Sequence, residues 1–134
     1  MKENVIALIQ SRAIPQLVEN EPPDEDELVE IEEQLLMSLP YDLREFLLLV
    51  SHHILGAIEP VTATDPNQHT FLPEVAALAW DQGLPREYLP ICQLGDNYYC
   101  INSSGEIYYW QAGELTDDYW ENIWDWCEAI WLAN

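Results

Sequence analysis

The chain has 134 residues, 49% of them hydrophobic with 6 Trp and 7 Tyr, and its 25 Asp and Glu against 4 Lys and Arg give a formal net charge of −21. A field this negative repels phosphate and anionic lipid, which excludes direct nucleic-acid binding and electrostatic attachment to a membrane. The apolar and aromatic content is enough to offset the entropy of folding, so one domain over residues 1–134 is expected.

Val5, Leu8 and Ile9 lie at helical spacing and predict a first helix over about residues 4–12, limited by Pro15. Residues 20–27, with Pro22, Pro23 and four consecutive acids from Asp24 to Glu27, read as an acidic linker leading into a helix. Leu28, Ile31 and Leu35 then recur at i, i+3 and i+7 with glutamates elsewhere on the wheel, and Pro40 ends that helix. Leu43, Phe46, Leu47 and Val50 give a third stripe from about Asp42. Residues 57–61 predict a short strand, which Pro60 restricts to an edge or a bulge. Phe71 to Gln82 predicts a further helix stopped by Gly83 and Pro85.

From about residue 89 to residue 110 the period changes. Aromatic and β-branched runs are separated by Gly95-Asp96-Asn97 and by Asn102-Ser103-Ser104-Gly105, the pattern of a three-stranded meander. A last helix is expected from about Asp117, with Thr116 as N-cap and Trp120, Ile123, Trp124, Cys127 and Trp131 as its core stripe. Tyr119, Trp126 and Ile130 fall on an adjoining strip, so the apolar face covers about half the circumference, wider than a surface helix needs. That surplus is either deeper burial or a contact surface. The elements together predict an α+β fold.

The charge is unevenly spread. Residues 19–33 carry nine acids and no base, and after Arg86 no basic side chain appears while nine acids follow. No complete catalytic, metal or cofactor signature accompanies them. The five glycines sit at turn positions without a phosphate-cradling spacing. His52 and His53 diverge as sequence neighbours, and a site joining one of them to His69 and Asp65 is disfavoured against ordinary surface histidines. Cys92, Cys100 and Cys127 form an odd set; a Cys92–Cys100 bridge across a hairpin is conceivable, but reduced thiols are expected in a chain whose start shows no export signal. A cytoplasmic location follows from the same reading. No cofactor or metal is expected.

The segment Leu39-Pro40-Tyr41-Asp42-Leu43-Arg44-Glu45-Phe46-Leu47 resembles the leucine-proline, acidic, phenylalanine-leucine signature of the SUKH superfamily, which includes the fungal Smi/Knr cell-wall regulators. Gly95 to Asn102 and Gly105 to Trp110 are similar to that family's two glycine turns, each followed by an aromatic strand. The resemblance runs over roughly residues 25–132. Ser51 to Gly56 departs from it, since the family usually has an asparagine and glycines there. The resemblance implies an antiparallel sheet with helices packed on one side. It also implies a non-catalytic protein-binding role: bacterial members are commonly immunity proteins that neutralise a cognate toxin, often a nuclease or deaminase, and fungal members act as signalling scaffolds. A basic toxin domain suits the acidity of this chain, because complementary charge speeds encounter. The expected contact residues are Glu25, Asp26, Glu27, Glu30 and Glu33 on the second helix and Asp117, Asp118, Glu121 and Asp125 on the last, with Trp126 as an exposed aromatic anchor. A regulatory scaffold without a toxin partner is the alternative.

Overall fold

Helix α1 (Lys2–Arg12) buries Val5 and Ile9, two of the three apolar positions that predict it. In the computed structural model, which describes residues 2–16 and 21–134, it is fastened at both ends. Lys2 Nζ lies 3.0 Å from Glu45 Oε1, and Arg12 Nη1 donates to the Leu132 carbonyl at 3.1 Å. Asn20, the first residue of the expected linker, and Glu19, the first of the nine acids over residues 19–33, lie outside the described residues.

Helix α2 (Glu25–Leu35) starts three residues ahead of its apolar stripe because Asp24 forms a capping box. The Glu27 amide donates to Asp24 Oδ1 at 2.8 Å, and the Asp24 amide donates to Glu27 Oε1 at 3.1 Å. Leu28, Ile31 and Leu35 are buried as the spacing requires. The helix ends at Leu36, whose φ of 58° puts a leucine in the left-handed region that favours glycine. Helix α3 (Tyr41–Leu49) follows Pro40 and buries Leu43, Phe46 and Leu47. Helix α4 (Leu72–Asp81) buries Leu72, Val75, Ala76 and Ala79.

Residues 57–61 do not form the expected strand. Pro60 makes an isolated antiparallel bridge to Cys92, and Val61 donates to the Ile91 carbonyl at 2.9 Å. A proline without an N–H cannot extend that contact into a ladder.

The sheet is an antiparallel meander of β1 (Leu89–Leu94), β2 (Asn97–Ile101), β3 (Ile107–Gln111) and β4 (Glu114–Trp120), in spatial order β1-β2-β3-β4. The fourth strand corrects the sequence reading: residues 117–120 are strand, not the start of a helix. Ala112 and Gly113 take φ values of 55° and 85°, the paired left-handed conformation of a two-residue hairpin turn, and this returns the chain alongside β3. The last helix, α5 (Ile123–Trp126), begins after Asn122, whose Oδ1 accepts from the Asp125 amide at 2.9 Å. It widens into a π-helical turn over Cys127–Trp131, closed by the Leu132 amide on the Cys127 carbonyl at 2.8 Å.

The fold is α+β, and its core lies where α3, α5 and the sheet meet. Phe46 packs on Trp124 and Trp131, with ring centroids at 6.3 and 5.6 Å, while Tyr99 of β2 meets Trp126 at 5.4 Å. Tyr98 and Tyr99 are strand neighbours and so face opposite sides of the sheet. The Tyr98 hydroxyl donates to Gln82 Oε1 at 2.8 Å, so the residues after α4 close the second face at that end. Cys92, Cys100 and Cys127 are free and buried. Register sets Cys92 against Tyr99 and Cys100 against Pro90, so the hairpin does not pair the two thiols. Burial pushes Cys92 and Cys100 up to about 12, which keeps them as unreactive thiols.

Candidate functional site

The four basic residues are all engaged within the fold. Lys2 pairs with Glu45, and Arg12 holds the Leu132 carbonyl. Arg44, from the first turn of α3, reaches Glu25 with Nη1 and Glu32 with Nη2, the latter at 2.8 Å. Arg86 lies over the Trp80 ring, 4.2 Å from its centroid.

This divides the expected contact residues of α2. Glu25 is tied to Arg44, and Glu27 is half-buried in the capping box, so both carry a structural load. Asp26, Glu30 and Glu33 are exposed and, among the described residues, have no ion pair. The sequence missed Glu32, whose Oε2 accepts the Leu39 amide at 2.7 Å while Oε1 takes Arg44. Its place on the wheel beside Leu28 and Leu35 is the signal that it turns toward α3.

The second group is rearranged by the fourth strand. Asp117 and Asp118 stand exposed in β4, with Glu114 before them and Glu121 after, and β4 is an edge strand. Charges on an edge deter pairing with another strand. Asp125 is exposed on α5, and its Oδ2 lies 3.5 Å from Asn122 Nδ2. Trp126 is not an exposed anchor: it is fully buried, edge-to-face against Tyr99. The wide apolar face of the last helix is explained by burial on two sides, since α5 lies between α3 and the sheet.

Two acidic regions thus remain, the outer face of α2 and the β4 edge. The first turn of α3 ties α2 to the β2–β3 turn. Arg44 there holds α2, and the Asp42 carboxyl abuts Gly105 in the β2–β3 turn, 3.6 Å from where a Cβ would sit. Burial, then the charge of Glu45, pushes Asp42 up from the ordinary carboxylate range, with Lys2 acting against them.

The expected divergence of His52 and His53 does not hold, because their rings lie side by side. His52 and His53 have ring centroids 4.0 Å apart, and His69 Nε2 lies 2.9 Å from Glu59 Oε2. Among the described residues no group of three or more His, Cys, Asp or Glu side chains is placed to hold a metal ion. A cavity of about 210 Å³ lies beside the departing loop, lined by Ser51, His53, Thr62, Gln68, His69 and Thr70 among others. Thr62 Oγ1 is bonded there to Thr70 and to Gln68, at 2.9 and 3.2 Å. Among the described residues no helix is long and apolar enough to cross a membrane.

An acidic helix capped ahead of a leucine-proline-started α3, an aromatic meander and a Trp-rich terminal helix define a SUKH-type α+β domain. The family model SUKH_5, described as SMI1-KNR4 cell-wall, matches residues 2–132, and the chain belongs to that family. The match takes in α1, which lies ahead of the motifs that carry the resemblance. A solved structure described as the crystal structure of a protein from Pseudomonas syringae pv. tomato is similar at 49% identity and a TM-score of 0.95. That similarity covers 98% of this chain and 99% of the other. No curated protein matches the sequence.

Proposed function

We propose that the chain is a non-catalytic protein-binding domain that recognises a basic partner, and that it serves as an immunity protein neutralising a cognate toxin. The observation that carries this reading is how the charge is disposed. With Lys2, Arg12, Arg44 and Arg86 each engaged elsewhere in the fold, Asp26, Glu30, Glu33 and the β4 acids pair with no cation among the described residues. A partner with clustered Lys and Arg is attracted over a long range, and other acidic proteins are rejected. Membership of the SUKH family supports a protein as the ligand. A nuclease or deaminase suits the charge, since enzymes that act on nucleic acid carry basic surfaces that this chain mimics the substrate in occupying.

The test is co-expression of the tagged chain with the product of the adjacent gene. The expected result is a complex that survives purification, together with restored growth of cells in which that product alone is toxic. Absence of both complex and protection overturns the proposal, and capture of several cellular proteins without protection replaces it with the regulatory scaffold.

A further inference from the structure

The outer corner of the sheet carries an aromatic strip that the helices leave uncovered. Tyr108 and Tyr119 face each other across β3 and β4 with centroids 5.4 Å apart, and Tyr88 meets Tyr108 edge-to-face at 6.0 Å. Tyr119 is 46% exposed, and Tyr88 and Tyr108 are half-buried. A row of tyrosines offers a rigid contact area with few rotamers to freeze, which lowers the entropy cost of binding.

Three carboxylates border the strip, and one of them is fixed in place. Glu106 accepts from the Tyr119 hydroxyl at 3.0 Å and from Asn102 Nδ2 at 2.9 Å. Asn102 is itself set by the Ser104 and Glu106 amides, each 3.0 Å from its Oδ1. Glu87 and Glu121 are exposed beside Tyr88 and Tyr119. Both act on the neighbouring phenols. Tyr119 is raised first by its bond to Glu106, with Glu121 adding to the effect, and Tyr88 is raised first by burial, with Glu87 and Glu106 contributing. The cation closest in sequence, Arg86, is occupied over Trp80, whose indole N–H donates to the Tyr88 carbonyl at 2.9 Å.

We infer that this strip is the contact surface for an arginine-bearing segment of a basic partner protein, its guanidinium resting against Tyr119 and Tyr108 and forked to Glu106 or Glu121. The inference rests on the protein-binding reading above and locates its main contact. Arginine fits better than lysine because a planar guanidinium stacks on an aromatic ring and bonds a carboxylate through two N–H groups at once. The chain already uses that chemistry internally, in Arg86 over Trp80 and in Arg44 between two glutamates. A second copy of this chain is a poor occupant, because each copy brings a net charge of −21. The outer face of α2 has carboxylates too, but that helix carries no aromatic side chain on which a guanidinium could stack.

The experiment titrates the isotopically labelled full chain with a short peptide alternating Arg and Ser, and with its Lys counterpart, at about 0.15 M salt, where long-range attraction is screened. Backbone shifts are expected to concentrate on residues 106–110 and 115–121, and the Arg peptide to bind roughly three- to tenfold more tightly than the Lys peptide. Tyr119→Ala is expected to lose about fivefold, Tyr119→Phe to keep most of the Arg preference, and Glu74→Gln, at an exposed position on α4, to stay within about twofold of the parent. Equal binding of the two peptides, shifts centred on α2, or no saturable binding overturns this placement. If the co-expressed partner is captured all the same, only the placement falls. If the peptides map to the strip but no partner is captured, the immunity reading falls instead.

Discussion

Arg44 is the cation whose removal most directly tests how the acidic helix is held. In Arg44→Met the stem still packs, but Glu25 and Glu32 lose their counter-ion. The Glu25 side chain is 66% exposed, so that pair contributes at most about 1 kcal/mol. Glu32 is 21% exposed and bonds the Leu39 amide with its other oxygen, so its charge-assisted bond to Arg44 is worth about 1.5–3 kcal/mol. A total loss of about 2–3 kcal/mol corresponds to a melting temperature lower by about 7–10 °C for a chain of this length. Thermal unfolding followed by tryptophan fluorescence reads it, because Trp124, Trp126 and Trp131 are buried together near Phe46 and Tyr99. The loss should shrink as salt is raised, and Glu32→Gln in the same background should recover part of it, since the unpaired half-buried charge is then gone. A loss below about 0.5 kcal/mol, or one insensitive to both salt and Glu32→Gln, would refute the role given to Arg44.

Three further outcomes follow from the geometry. Leu36→Gly should raise stability by about 0.5–1 kcal/mol in urea unfolding, because Leu36 is 83% exposed at a φ of 58° and has little packing to lose. Asp42 holds its proton more tightly in the folded state than in the unfolded chain, so the folded form gains stability as pH falls through the raised value. Asp42→Asn should therefore be more stable than the parent at neutral pH, with the gap closing on acidification, and urea midpoints at pH 7 and at about pH 4 check the sign. Trp126→Ala should cost about 3–5 kcal/mol by opening a cavity against Tyr99. Trp126→Phe should cost clearly less, because the phenyl ring still fills most of the space against Tyr99, while both variants remove an indole N–H that has no acceptor among the described residues; equal losses in the two melting curves would contradict this.

The elements that a local pattern specifies were legible in the sequence. Leu28, Ile31 and Leu35, or Leu43, Phe46 and Leu47, bury where their spacing says, and Tyr98 to Ile101 and Ile107 to Trp110 pair as strands around a glycine turn. The fourth strand was not, for a physical reason. Thr116-Asp117-Asp118 is suitable chemistry for a helix start and equally suitable for an exposed edge, and only pairing with β3 decides between them. Gly113, two residues beyond the aromatic strand, was the available hint of a tight hairpin. Trp126 misled for a related reason. A helical wheel records one buried stripe, whereas α5 is buried against α3 on one side and β2 on the other. Of the candidate site, the acidic outer face of α2 was visible from charge and period; the ties of Glu25 and Glu32 to Arg44 depend on tertiary packing and were not.

The claim that an open acidic surface recruits a basic protein is tested most directly by the association rate between this chain and the product of the adjacent gene, measured in stopped flow across a range of salt. That rate should fall by about tenfold or more between about 0.05 and 0.5 M salt, with dissociation changing much less. A rate that does not depend on salt, or the absence of any complex at low salt, would contradict it.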